Sequence, residues 1–210
     1  MTALPFTATF IFTSAALAIA PGPDILYVLA KGISQGRRSA LIAAAGFCSG
    51  LSIHTAASAC GLSALLVASA TAFTTAKLLG AAYLIYLGAR AIFSRGLISL
   101  PENQVALSDR KIFAQAFLMN VLNPKVALFF LAFLPQFIAP GAVHKTLAFL
   151  LLGAWMVVQG TLFLFALVLL TARLRGLAGS SIWPRGLNVA GGLLFVGLAA
   201  RLALAEPSPP

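Results

Sequence analysis

Six long apolar segments are the feature that most constrains this chain. Apolar runs of about 18 residues or more indicate membrane spans, because about 20 residues of helix cross a hydrocarbon layer about 30 Å thick. The segments cover residues 4–30, 39–68, 72–93, 112–138, 146–172 and 187–204. Only 9% of the residues are charged, and the mean hydropathy is +1.00. The sequence therefore predicts an all-α polytopic membrane protein with six transmembrane helices.

The basic residues indicate how these spans are oriented. The chain has 14 basic and four acidic residues, which are too sparse to form a nucleic-acid-binding surface. Lys and Arg concentrate in the cytoplasmic connections of membrane proteins. With the N-terminus outside, the inner bases are Lys31, Arg37, Arg38, Arg90, Arg95, Arg110, Lys111, Arg173, Arg175 and Arg185, and the outer ones are Lys77, Lys145 and Arg201. This distribution predicts a multi-pass membrane protein with both termini outside.

Two of the six segments are interrupted in the same way. The interruptions contain Pro21, Gly22 and Pro23 in the first segment, and Asn120, Asn123 and Pro124 in the fourth. Pro23 and Pro124 are 101 positions apart, and this offset places Asp24 opposite Lys125. The third and sixth segments also match, at an offset of 111.

These matches predict two three-helix repeats of opposite topology, with broken helices 1 and 4. The first repeat covers 1–93, a cytoplasmic connection covers 94–111, the second repeat covers 112–205, and 206–210 form a tail. Inverted repeats with interrupted helices in corresponding positions are typical of secondary transporters, whose sites lie where the repeats meet.

Two charged residues within the spans are the main candidates for a site. A charge inside a membrane costs at least about 2.5 kcal/mol on insertion scales, so a functional role is its default interpretation. Asp24 follows Pro23, where the positive end of the restarting helix favours a carboxylate. Lys125 is in the equivalent place, where the same dipole disfavours an ammonium group, so it needs an anion.

That anion is either Asp24, in a structural ion pair, or the carboxylate of a substrate. The rise of straight helices places the two residues about 10 Å apart in height, and only bent half-helices could close this gap. We favour a site that binds the ammonium and carboxylate groups of a zwitterionic amino acid, with Asp24 and Lys125 pairing when it is empty.

Uncharged polar residues complete the candidate set. Asn120 and Asn123 can hydrogen-bond a ligand or the backbone groups that the prolines leave free. His54 follows Gly46 and Gly50 on a stripe suited to close helix packing, and it either relays protons or, the favoured interpretation, forms a hydrogen bond between helices. Gln159 is interpreted as a packing residue.

Other functional classes fit less well. A thiol-based electron carrier on a similar bundle would need a cysteine in each broken helix, but Cys48 and Cys60 both lie in the second segment. A single intramembrane acid does not suit a divalent metal. A non-transporting scaffold would leave the intramembrane charges unexplained. We therefore expect neither an enzyme nor a cofactor-binding or metal-binding protein.

Several motifs resemble those of a known family. They are Pro21-Gly22-Pro23-Asp24, Gly80-Ala81-Ala82-Tyr83-Leu84 with Leu87-Gly88, and Asn123-Pro124-Lys125 followed by Leu134-Pro135-Gln136-Phe137. In order and spacing they resemble the lysine exporter and homoserine/threonine resistance (LysE/RhtB) family, over nearly the whole chain from Phe6 to Arg201.

This resemblance implies a bacterial inner-membrane carrier that exports amino acids or related metabolites and is driven by a gradient of protons or another ion. One aspartate in the spans favours a neutral or zwitterionic substrate, similar to homoserine or threonine, over a dibasic one. The expected partners are this amino acid, the coupling ion and the lipid bilayer, with no nucleic acid. Assembly into a homo-oligomer is left open.

Overall fold

A computed structural model describes residues 7–20, 22–62, 70–93, 106–139, 142–174 and 185–204, and within these ranges all regular structure is helical. The helices are α1 (Ala8–Ile19), α2 (Pro23–Ser34), α3 (Arg37–Ala57), α4 (Ala70–Phe93), α5 (Asp109–Val121), α6 (Pro124–Leu128), α7 (Lys145–Leu174) and α8 (Arg185–Leu204). A π-helical turn, Ser58–Leu62, extends α3. A π turn, Phe129–Phe133, and a 3₁₀ turn, Leu134–Phe137, extend α6.

Local signals in the sequence explain where several helices begin. The hydroxyl of Thr7 caps α1 by accepting a hydrogen bond of 3.2 Å from the amide of Phe10. Helices α2 and α6 each begin at a proline, which lacks one of the N–H groups that would have no helical partner in the first turn. A proline at this position also separates each of these helices from the preceding one.

The helices have the length and apolar character of membrane spans. Arg37–Gly61 and Lys145–Leu170 are each long and apolar enough to cross a membrane. The pairs α1–α2 and α5–α6 meet the same criterion if each is one span, and they bend by 49° and 41° at their breaks. The described part of the chain thus contains two to four candidate spans, and an all-helical membrane protein interrupted at the two expected places is confirmed.

Glycines allow α3 to pack closely against α5. A Cβ atom on Gly46 would lie 2.6 Å from the carbonyl oxygen of Phe113, and one on Gly50 would lie 2.7 Å from the Cβ atom of Asn120. The expected packing stripe on α3 is therefore confirmed, with α5 as its partner. Helices α4 and α8 meet similarly, because a Cβ atom on Gly88 would lie 2.7 Å from the carbonyl oxygen of Gly192.

Two buried clusters take their residues from opposite sides of each helix break along the chain. The phenylalanine-rich core includes Phe10, Leu17, Val126, Phe129, Phe133, Phe149 and Leu152. The aliphatic core includes Ile25, Val28, Ala43, Ile112, Ala116, Leu164 and Val168. The chain therefore leaves one core and enters the other at each break, from α1 to α2 and from α5 to α6.

Two lysines lie deeper than the sequence suggests. Lys31, assigned to an inner connection, is in the last turn of α2 and is buried, with its ammonium 5.5 Å from the centre of the Tyr27 ring. Lys77, counted as an outer base, is buried within α4. The stem of a lysine is long and apolar, so it can pack among helices. The side of the membrane on which Lys31 and Lys77 lie stays a prediction.

We predict that Gly46→Ala destabilises the protein. The added methyl group meets the backbone of α5, which cannot yield as a side chain does, and overpacking of this kind costs about 1–3 kcal/mol. The midpoint of thermal unfolding in detergent should fall. Gly197→Ala is the matched control, because no atom lies within 4 Å of a Cβ atom there. Equal midpoints for both variants would show that α3 and α5 are not in close contact.

Candidate functional site

Asp24 and Lys125 meet where the two interrupted helices approach each other. Asp24 is in the first turn of α2, and Lys125 is in the first turn of α6. The carboxylate oxygen Oδ1 lies 4.0 Å from the ammonium nitrogen Nζ, and the two side chains are 17% and 6% exposed. The charged atoms thus approach each other despite the height difference of about 10 Å expected from straight helices, and both helix pairs bend at their breaks.

The ammonium group of Lys125 also binds the end of α1. Its Nζ atom donates a hydrogen bond of 3.2 Å to the carbonyl oxygen of Ala20, the residue that follows the last turn of that helix. The C-terminal end of a helix carries partial negative charge and favours a cation. Lys125 therefore obtains its negative partners from both sides of the first break, the carbonyl end of α1 and the carboxylate of α2.

Three buried polar atoms around the breaks have no hydrogen-bond partner in the described part of the chain. They are Oδ1 of Asp24, Oδ1 of Asn120 and Nδ2 of Asn123. The other end of the Asn123 amide is used, since its Oδ1 accepts a hydrogen bond of 3.0 Å from the backbone amide of Lys125 and so caps α6. Buried polar groups are almost always paired, so these atoms have capacity for a ligand.

Gly22 leaves space for the charged pair. A Cβ atom there would lie 2.5 Å from Oδ1 of Asp24 and 2.7 Å from Nζ of Lys125. Gly22 is the N-cap of α2 and makes no side-chain cap. Its equivalent at the second break, Asn123, does make one. Pro21, the remaining expected residue of the first break, lies outside the described residues.

His54 contacts the second break rather than the charged pair. Its Nε2 atom lies 3.1 Å from the carbonyl oxygen of Asn120, and its ring lies against that of Phe130. A carbonyl can only accept, so Nε2 carries the proton in this contact. The geometry matches the favoured interpretation, a hydrogen bond between helices. It adds a second donor to a carbonyl that also accepts a hydrogen bond of 2.9 Å from the backbone amide of Asn123.

A narrow cavity, with a volume of about 60 Å³, adjoins the pair. This is below the usual range for small-molecule sites, so the cavity must widen to hold a whole amino acid. Its lining residues are Ser14, Leu17, Ala18, Asp24, Phe47, Cys48, Leu51, Asn120, Lys125, Val126, Met156, Gln159, Gly160, Phe163 and Leu164. The structure thus brings Asp24, Asn120 and Lys125 to one cavity, while Asn123 and His54 are not among its lining residues.

The wall of this cavity that α7 provides was not expected. The sequence favours Gln159 as a packing residue, and Met156 and Phe163 carry no signal that separates them from other apolar residues of a span. Gln159 was at least identifiable as a polar residue in an apolar segment. In the described ranges, no three His, Cys, Asp or Glu side chains are grouped as metal ligands would be.

Comparison with known proteins identifies relatives over most of the chain. The model of a family described as LysE type translocator matches residues 15–206. A Vibrio cholerae protein named "Uncharacterized membrane protein" is 33% identical over 94% of this chain and 96% of its own length. No solved structure matches the chain.

Two relatives carry functional names. A "Homoserine/homoserine lactone efflux protein" of Salmonella typhimurium is 32% identical, over 94% of this chain and 95% of that protein. A "Leucine efflux protein" of Salmonella choleraesuis is 30% identical, over 93% of each.

We predict that Asp24 and Lys125 are energetically coupled. Removing one member of a buried pair leaves the other uncompensated, at a cost of about 3–5 kcal/mol, whereas replacing both by apolar residues is often close to neutral. Asp24→Leu and Lys125→Met should each lower the midpoint of thermal unfolding in detergent, and the double variant should recover much of the loss. Additive losses in the double variant would show that the two charges do not interact.

Proposed function

The chain belongs to the LysE type translocator family, which its family model covers from residue 15 to 206, and on that premise we propose that it exports a neutral, zwitterionic amino acid across the cytoplasmic membrane. Relatives named for efflux are transporters and not enzymes, and an amino-acid efflux protein is the class that their names support. Beyond amino-acid efflux itself, we propose a substrate class, a binding site and an orientation in the membrane.

The observation that carries the proposal is a loosely paired Asp24 and Lys125 beside a cavity. At 4.0 Å the two charged atoms are beyond ordinary hydrogen-bond distance, and Oδ1 of Asp24 has no donor among the described residues. An amino acid presents one ammonium and one carboxylate group. The ammonium would take Oδ1 of Asp24 and Oδ1 of Asn120, and the carboxylate would take the ammonium group of Lys125. Asn123 would act from outside the cavity, by fixing the backbone of Lys125.

The other site residues act through the backbone. Gly22 leaves room for the two charged side chains, and Pro23 and Pro124 begin the two helices that restart where the ligand would lie. From the sequence alone, Pro21 is a further residue that we assign to the first break. His54 would hold the carbonyl of Asn120, and thereby the second break, in position. A pair that closes on itself when the site is empty explains how two buried charges persist without a substrate.

An inverted repeat of three helices is supported by the surroundings of the two breaks. The face of α1 that lines the main cavity includes Ser14, Leu17 and Ala18. The residues 101 positions later, Gln115, Leu118 and Met119, line a second, more open cavity beside Pro23 and Pro124. Equivalent faces of α1 and α5 therefore both border open space, which is expected if 1–93 and 112–205 are related repeats around one site, with 94–111 joining them and 206–210 as a tail.

Such a symmetric arrangement fits alternating access. The phenylalanine-rich core and the aliphatic core lie on the two sides of the breaks. We propose that the helices of one core separate while those of the other stay packed, so that the site opens to one side of the membrane at a time. Export against a concentration gradient needs an energy source, and a gradient of protons or another ion is the one we propose. The site needs one chain only, so assembly into a homo-oligomer is not part of its chemistry.

We predict that Asp24→Asn and Lys125→Gln each reduce efflux at least about tenfold, because a hydrogen bond to a charged group contributes about 1.5–3 kcal/mol. The measurement is release of homoserine, threonine or leucine from loaded cells that lack their own exporters, at matched amounts of inserted protein. An ionophore that collapses the coupling gradient should slow release by the unaltered protein.

Asp109→Asn and Arg38→Gln provide matched controls. These residues form a pair at 2.8 Å with side chains that are 47% and 83% exposed, and neither lines the cavity. They remove one negative and one positive charge, as the site variants do, and they should leave efflux near its original rate. Normal efflux by both site variants, with normal insertion, would show that the proposed site is wrong.

We predict that Val143 lies outside and Ser108 inside. Both are exposed, at the start of α7 and of α5 respectively. In a background with Cys48→Ser and Cys60→Ser, a membrane-impermeant thiol reagent should label Val143→Cys in intact cells, and Ser108→Cys only after permeabilisation. The opposite pattern would reverse the proposed orientation, with both termini then inside.

A further inference from the structure

The wall that α7 contributes to the cavity differs in chemistry from the charged pair. Helix α7 contributes Gln159 and Gly160 to the cavity, close in sequence to Met156 and Phe163. From this wall we infer that Gln159 and Gly160 form the subsite that selects the substrate's side chain. The inference rests on the proposed function, and it names the substrates as amino acids with short uncharged side chains, aliphatic or hydroxylated.

The charges in the cavity are used by the common part of the substrate. Among the described residues that line it, Asp24 and Lys125 are the charged ones, and each would bind one charged group of the amino-acid backbone. The rest of the lining is mainly apolar, including Leu17, Phe47 and Leu164. A charged substrate side chain would be desolvated there without a counter-charge, which costs several kcal/mol. The cavity thus selects against acidic and dibasic amino acids.

Gln159 supplies a polar contact in this apolar wall. Its side chain is half-buried, and its amide makes no hydrogen bond to another part of the described chain. A primary amide both donates and accepts, so it can bind a hydroxyl group in either sense. A substrate without a hydroxyl group would desolvate the amide without forming a hydrogen bond to it. Gln159 therefore favours hydroxylated side chains over aliphatic ones of similar size.

Gly160 supplies volume. A Cβ atom there would meet only Leu51, with its Cδ2 atom at an ordinary contact distance of 3.5 Å. On the same helix, by contrast, the side chain of Thr55 occupies the space where a Cβ atom on Gly153 would lie. Helix packing therefore requires a glycine at 153 and does not require one at 160, where the missing side chain leaves the cavity larger.

The first test replaces the polar contact. Gln159→Leu keeps the approximate size of the side chain and removes the amide, so efflux of homoserine and threonine should fall about three- to tenfold relative to efflux of leucine. Gln136→Leu is the matched control, because Gln136 donates its hydrogen bond to the carbonyl of Ala132 in its own helical turn and is not a lining residue. It should leave the ratio of the two rates unchanged.

The second test reduces the volume. Gly160→Ala should lower efflux of leucine relative to efflux of alanine, since the larger side chain loses room first. Gly197→Ala, in α8, has no atom within 4 Å of its Cβ position and serves as the control. Alanine also favours a helix over glycine, so neither variant is expected to unfold the protein.

The two sets of outcomes separate this inference from the proposed function. A change in substrate ratio for both variants supports the subsite. If Gln159→Leu and Gly160→Ala change every rate by one common factor, or change none, the subsite is wrong, while loss of efflux in Asp24→Asn still supports the transport site. If the unaltered chain exports none of the four amino acids, the proposed function fails, and the subsite fails with it.

Discussion

The ammonium group of Lys125 links the two interrupted helices, and the arrangement of the site depends on this link. The Lys125 side chain extends from the second break to both sides of the first. Its ammonium group binds the carbonyl of Ala20 and lies 4.0 Å from the carboxylate of Asp24. Each break on its own would leave backbone groups without partners in an apolar layer, which a membrane does not tolerate. Because each break satisfies part of the other, the two must lie together.

The layer formed by the breaks is polar, while the clusters on either side are apolar. Phe129 and Phe133 are fully buried on one side, and Ile25 and Ile112 on the other. Charges between two apolar cores attract one another strongly, since little water screens them. They are also costly to leave unpaired, so a pair that is close but incompletely hydrogen-bonded favours a ligand that completes it. A zwitterion would satisfy both charges together.

The sequence predicts the breaks and their polar residues well, because prolines and intramembrane charges are unambiguous signals. It does not predict that Asp24 and Lys125 come within 4.0 Å, since that distance depends on bends that a linear rise per residue ignores. The sequence also does not predict that Lys31 and Lys77 are buried, because burial of a lysine depends on the helices that pack around its stem. The sequence also does not predict that Gln159 lines the cavity, because its position depends on the rotation of α7 about its axis, which no local pattern specifies.

The two breaks share a proline at the start of the second helix, but the residue before that proline is Gly22 in one and Asn123 in the other. Asn123 closes the second break, since its side chain caps α6 and fixes the backbone from which Lys125 extends. Gly22, at the equivalent place, has no side chain to cap α2, and the volume that a side chain would fill is next to Asp24 and Lys125. A cap there would fix one more amide at the expense of space between the two charges. The second break therefore holds the lysine in place, and the first leaves space beside the two charges, where the proposed ligand would bind.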